Sequence, residues 1–182
     1  MKLTAIILAG GKSSRMGVDK GLMPFKNKPM VQHVIDAVKP FVDHIIIITN
    51  QKEYATFGYP IYKDILKEKG PLAGIYTGLQ HSKTTNNIVV SCDVPFINEE
   101  ILNLLLNNSL NFDVVIPEKD SKTHQLIGLY KKSCSTIFKN QLDKDELKLK
   151  TAIKKLNYHI INADHINAQI FNNINSKDDI KP

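Results

Sequence analysis

The 182-residue sequence predicts an α/β fold, a three-layer α/β/α sandwich around a mainly parallel, doubly wound sheet. Two observations carry that expectation. Compact, β-branched apolar runs alternate along the chain with segments of three- and four-residue apolar spacing, the pattern of βαβ units with helices on both faces of a sheet. No internal repeat and no long linker divides the chain, so residues 1–182 read as one domain. A chain of this length hides about 70% of its unfolded surface, enough for a sizeable core.

The elements follow in order. Leu3 to Leu8 is apolar apart from Thr4 and runs into Gly10-Gly11, as a buried strand entering a glycine turn does. Pro29 opens a helical pattern of Val31, Val34, Ile35 and Val38, which Pro40 ends. Ile45–Thr49 is a second strand, too short and too β-branched for a core helix. Pro60–Lys63 is a short third. Pro71 suits a first helical position, with the helix reaching about His81. Ile88–Cys92 is a fourth strand that stops at Asp93-Val94-Pro95. Asn98 is suited to cap a helix carrying Ile101, Leu102, Leu105 and Leu106. Phe112–Ile116 and Leu126–Tyr130 give a fifth and a sixth strand, with an exposed loop over Lys119–Thr123 between them. Residues 131–156 read as helical, Tyr158–Ile161 as a last strand, and Asp178 falls in a short C-terminal helix.

Composition excludes several classes. Hydrophobic residues make up 42% and charged residues 23%, which argues against wholesale disorder. Cys92 and Cys134 cannot build a disulfide-rich scaffold or a four-cysteine zinc site. No run approaches the roughly 18 apolar residues of a membrane span, and the short apolar N-terminus lacks the length and cleavage site of a signal peptide. A cytoplasmic protein with no membrane partner is expected. The net charge of +6 suits an anionic ligand. Twenty-three of the 24 basic residues are lysines, and between Lys119 and Lys155 ten lysines face four acidic residues. Such a run is most simply a solvated surface. Zinc-finger, RNP and basic-heptad patterns are all missing, so no nucleic-acid partner is expected.

Ligands of doubly wound sheets bind outside the carboxyl ends of the strands. Three chemically loaded segments fall at such ends: the glycine loop after the first strand, Asp64 after the third and Asp93 after the fourth. The loop reads Leu8-Ala9-Gly10-Gly11-Lys12-Ser13-Ser14-Arg15-Met16-Gly17-Val18-Asp19-Lys20. Glycines let backbone N–H groups close on phosphate oxygens, Arg15 offers a planar fork and Lys20 a mobile point charge. Neither the Walker pattern nor GxGxxG is present. Asp93 before a proline-bearing turn suits either an Asx-turn or a Mg²⁺ ligand, and Asp64 either a helix cap or a ligand contact.

The run LAGGKSSRMGVDKGLMPF resembles the signature of molybdenum cofactor guanylyltransferases, the MobA family within the nucleotidyltransferase superfamily. Four further segments resemble the family in its order: Asp64, Gly70-Pro71-Leu72-Ala73-Gly74, Cys92-Asp93-Val94-Pro95-Phe96 and the asparagine-rich tail from Phe171 to Asp179. The resemblance implies the Rossmann-like nucleotidyltransferase fold, with one antiparallel strand. It implies transfer of GMP from GTP to the terminal phosphate of molybdopterin or Mo-molybdopterin, with Mg²⁺ and release of pyrophosphate. By resemblance Asp93 holds the metal, Arg15 and Lys20 contact phosphates, Leu8, Ala9 and Gly10 frame the guanine, and Gly11 binds the nucleotide. Asp64 then contacts the nucleotide, and Gly70, Pro71, Leu72 and Gly74 lie against base and ribose. Asn172, Asn173 and Asn175 close the cofactor side. Other cofactor-biosynthesis proteins and acceptor apoenzymes are the implied partners.

Two departures stand out. Gln125 follows His124 where family members often have proline, which predicts a looser loop on what would be the pterin side. Ile48 stands near a position where some members carry a nucleotide-contacting asparagine, and Asn50 lies two residues on. The loop chemistry also fits CTP, or a sugar or polyol phosphate as acceptor. A regulatory nucleotide-binding module would not need Asp93, Lys20 and Arg15 together. Neither cysteine has the paired histidine of a thiolate nucleophile. The Lys119–Lys155 run is a candidate attractor for an anionic pterin.

Overall fold

The computed structural model describes residues 2–10 and 19–174; Gly11, Arg15, Asn175 and the expected helix at Asp178 lie outside them. In chain order the elements are β1 (Leu3–Leu8), β2 (Pro24–Phe25), β3 (Lys28–Pro29), α1 (Met30–Val38), β4 (His44–Ile48), β5 (Ile61–Tyr62), α2 (Gly70–His81) and β6 (Asn86–Ser91). They continue with α3 (Glu99–Asn107), β7 (Val114–Lys119), β8 (Lys122–Thr123), β9 (Ile127–Lys131), α4 (Cys134–Asp143), α5 (Leu149–Ile153) and β10 (Tyr158–Asn162). The main sheet runs β10-β7-β9-β6-β1-β4-β5.

β1 pairs in parallel with β4 and β6, β4 with β5, and β10 with β7. β9 is the reversed strand, antiparallel to both β6 and β7. The two-residue β8 also folds back on β7, so among the described residues a second, very short strand opposes the sheet. The exposed loop expected at Lys119–Thr123 is therefore a hairpin tip, turned through Asp120 and Ser121 at φ 51° and 60°.

All six residues of β1 are buried, because helices cover both faces. Ala5, Ile7, Ile45, Ile47, Ile88 and Val90 face one core with Val31, Val34 and Ile35 of α1 and Ile101 and Leu105 of α3. Ile6, Leu8, Ile46, Ile48 and Val89 face the other, with Leu72, Ile75 and Leu79 of α2 and Phe138 of α4. Each Val, Leu, Ile or Phe among them, fully buried, contributes roughly 1.5–3 kcal/mol. The alternation of one strand's residues between two cores is what makes the strand runs continuously apolar.

Residues 131–156 do not form one helix. α4 ends where Asp145 takes φ 58°, its N–H donating to Leu142 O at 3.2 Å and the Glu146 N–H to Gln141 O at 2.9 Å. That is a Schellman stop, and α5 starts only at Leu149. The fifth strand begins two residues later than expected and reaches Lys119. The β2–β3 hairpin was not legible: its strands are two residues long, and its turn, Lys26-Asn27, carries positive φ without a glycine.

Asn98 caps α3 as expected, its Oδ1 accepting from Glu100 N at 3.1 Å and Ile101 N at 3.4 Å. Asn98→Ala should lower stability by about 1 kcal/mol, read as a shifted denaturant midpoint with unchanged slope.

Candidate active site

Because β1, β4, β5 and β6 are parallel, their carboxyl ends open on one rim. Leu8–Gly10, Asn50, Asp64 and Ser91–Asp93 all lie there. The reversed β9 enters the sheet at the same rim, where Ser91 N donates to Leu126 O at 3.0 Å.

Two cavities open beside that point. The first, about 440 Å³, is lined by Leu8, Gly10, Ile48, Asn50, Asp64 and Glu68, with Gly70, Pro71 and Gly74 of α2. The second, about 650 Å³, is lined by Phe96, Lys122, His124, Gln125, Phe171, Asn172 and Asn173 among others. Ser91 and Leu126 line both and form the shared wall. Both volumes fall in the range of small-molecule sites.

Asp93 stands one hydrogen bond from that wall. Its Oδ1 accepts from Ser91 Oγ at 2.6 Å and its Oδ2 from Asn173 Nδ2 at 3.3 Å. The tail is tied here through more than the asparagine side chain. The Ile174 amide donates to Asp93 O at 2.9 Å, and its side chain is buried with Met23, Phe25 and Met30. Among the described residues no group of three His, Cys, Asp or Glu is placed to hold a metal ion, so a divalent ion here would take at most two such side chains. That donor set suits Mg²⁺, which favours one or two carboxylates with phosphate oxygens and water.

In the first cavity Asp64 Oδ1 is buried and has no hydrogen-bond partner. Burial raises its pKa above the ordinary carboxylate value. An orphaned buried acceptor is a demand for a donor, which a ligand N–H or O–H meets. Gly74 permits α2 to lie against Leu8, since a Cβ there would stand 3.3 Å from Leu8 Cδ2. Gly70 takes φ 67°, which favours glycine. Glu68, also at the cavity, carries a positive φ of 59° without being glycine.

Not every expected site residue meets in this cavity. Leu72 is fully buried in the core beneath α2. Ala9 is buried, with its amide donating to Ile48 O at 2.9 Å, and Leu8 O accepts from Cys92 N at 3.0 Å. The sheet ladder thus already uses part of the backbone expected to frame a base. Lys20 opens a short 3₁₀ turn, Lys20–Leu22, capped by Asp19. Ser91, Leu126 and Glu68 went unnoticed in the sequence. Ser91 left one signal, a hydroxyl closing an apolar strand.

In the second cavity His124 is half-buried against Phe171, ring centroids 4.5 Å apart. Burial first, and Lys122 second, lower its pKa. The loop that lacks a proline is tied instead by hydrogen bonds: Gln125 Nε2 to Thr123 Oγ1 at 2.9 Å and Tyr130 Oη to Gln125 O at 2.7 Å. The Lys119–Lys155 run is not one surface. Lys122 lines the second cavity, whereas Lys132 donates to Ser82 O at the opposite, amino rim. Both cysteines are buried, and burial pushes the Cys134 thiol up to about 12 and Cys92 higher still, which suits inert thiols.

Residues 5–159 match the MobA-like NTP transferase domain, and with its rim site the protein is a nucleotidyltransferase. It is 41% identical over 179 residues, 98% of this chain and 94% of the relative, to a probable molybdenum cofactor guanylyltransferase of Flavobacterium johnsoniae. A molybdenum cofactor guanylyltransferase of Yersinia pestis is 33% identical over 97% of this chain and 92% of its own. The chain belongs to the MobA-like NTP transferase family. In architecture it resembles the crystal structure of molybdopterin-guanine dinucleotide biosynthesis protein A from Archaeoglobus fulgidus, with a TM-score of 0.81 and 22% identity over 97% of this chain and 94% of that one. Among the described residues no helix is long and apolar enough to cross a membrane.

Proposed function

We propose that the chain, as one domain over residues 1–182, transfers GMP from GTP to the terminal phosphate of molybdopterin or Mo-molybdopterin. The observation that carries this reading is the pair of cavities meeting at Ser91 and Leu126, with Asp93 one hydrogen bond from that wall. Two substrates can approach one carboxylate from opposite sides. The names of the two relatives above support the choice of substrates.

In the reaction a phosphate oxygen of the acceptor bonds to the α-phosphorus of GTP, and the bond to the bridging oxygen breaks, releasing pyrophosphate. The attacking oxygen is already ionised near neutral pH, so no side chain need remove a proton. The obstacle is repulsion between two polyanions. Asp93 would hold Mg²⁺, which when bound supplies positive charge to the reacting phosphates. Arg15 and Lys20 would bind the departing pyrophosphate. Leu8, Ala9, Gly10 and Gly11, Asp64, and Gly70, Pro71, Leu72 and Gly74 would hold the nucleotide. His124, Gln125 and the asparagine tail would line the acceptor side. Holding donor and acceptor in line is then the protein's main contribution. Cofactor-biosynthesis proteins and acceptor apoenzymes are the proposed partners.

The test is pyrophosphate release with Mg²⁺ and molybdopterin, comparing GTP with CTP, ATP and UTP. GTP should be preferred; a preference for CTP would reassign the donor, and no release with any of them would sink the reading. Lys20→Ala should lower kcat/KM for GTP by about a hundredfold, the scale of one lost transition-state cation contact. An unchanged value removes Lys20 from the mechanism.

A further inference from the structure

The Asp19–Leu22 segment is held by a buried clamp that neither cavity explains. Tyr54, in the short helix Lys52–Phe57 after β4, is fully buried. Its hydroxyl donates to Asp19 Oδ1, which also accepts from Gly21 N at 3.0 Å. Burial, foremost, holds the phenol's pKa far above its ordinary value, so the hydroxyl stays a donor. Gly21 is packed against this pair. A Cβ there would overlap the Tyr54 hydroxyl and stand 2.9 Å from Cys92 Sγ. Cys92 immediately precedes Asp93, and its amide donates to Leu8 O at the end of β1. One continuous set of contacts therefore joins Lys20, through its neighbours Asp19 and Gly21, to the strand end carrying Asp93.

We propose that Tyr54 is a positioning residue, whose hydroxyl bond to Asp19 fixes the Lys20 turn against the Cys92–Asp93 strand end and sets the spacing between lysine and carboxylate. The inference rests on the transfer chemistry proposed above and deepens it. A tyrosine fits where phenylalanine would fill the same core volume, because only the hydroxyl reaches the carboxylate that caps the turn. A carboxylate accepting from both a phenol and a backbone amide makes charge-assisted bonds, stronger than neutral ones.

Tyr54→Phe keeps the ring and removes the bond. It should lower kcat/KM for GTP about tenfold, the scale of one lost charge-assisted hydrogen bond. Combined with Lys20→Ala it should cost nothing further, because both changes act through one lysine. A wild-type rate, or losses that multiply in the double variant, would overturn the proposal. Asp19→Ala leaves the aromatic core in place and should repeat the loss; full activity there overturns it equally. Deuterium exchange at the Gly21 amide provides a readout without turnover. It should quicken about tenfold in Tyr54→Phe. If the wild-type protein releases no pyrophosphate, the proposed reaction fails, and exchange still decides for or against the clamp: an unchanged Gly21 rate overturns it.

Discussion

Asp93→Ala is expected to cut pyrophosphate release by at least about a thousandfold while leaving the protein folded. The activity loss follows from the proposed role of Asp93, which would hold the divalent ion whose charge the two phosphates need to approach each other. The fold should survive for a local reason. Asp93 is half-buried, and its side chain makes a 2.6 Å bond with Ser91 and a longer one with Asn173. The stronger tie to the tail, Ile174 N to Asp93 O at 2.9 Å, uses the backbone and is untouched. A stability cost of about 1 kcal/mol is the scale of one such hydrogen bond. Near-normal turnover of the variant in Mg²⁺ would remove Asp93 from the chemistry. Loss of cooperative unfolding would instead mean that the strand end depends on the carboxylate more than its contacts indicate.

Gly78→Val should produce the largest loss of stability. Gly78 lies in the middle of α2, pressed on β1, and a Cβ there would overlap Ile6 Cγ2 and stand 3.0 Å from Ile6 Cδ1. Two effects oppose each other. Replacing glycine in a helix interior gains up to about 1 kcal/mol of propensity, less for a β-branched residue. Overpacking a close-packed core costs about 1–3 kcal/mol for small insertions, and valine adds three carbons to a contact without room for one. Ile6 cannot yield easily, since it is fully buried in the central strand. A net loss of about 3 kcal/mol, or about 10 °C in melting temperature for a chain this size, is expected. An unchanged melting temperature would mean that α2 does not lie this close to β1.

Much of this was readable in residue order. The strands at Leu3–Leu8, Ile45–Thr49 and Ile88–Cys92 declare themselves because both faces are covered, so nearly every position is apolar, with Thr4, Thr49 and Ser91 the polar ones. Asp93 was legible because it ends such a run, and Asp64 because it follows the short strand segment Pro60–Lys63. The break in α4 was harder. Apolar spacing continues across it, and the stop depends on Asp145 adopting a left-handed backbone without glycine. The β2–β3 hairpin was invisible because two residues carry no period.

The rim residues, the individual strand runs and the motifs of the family resemblance were each contained in local runs, since each depends on neighbours a few residues apart. Three features were not. The wall shared by the cavities arises where reversed β9 meets β6, bringing Leu126 beside Ser91. Tyr54 reaches Asp19 across 35 residues of chain. The lysines that cluster in sequence separate to opposite rims because β9 runs the length of the sheet between Lys122 and Lys132. Such contacts come from strand register and helix packing, which bring together groups whose order along the chain says nothing about their distance in space.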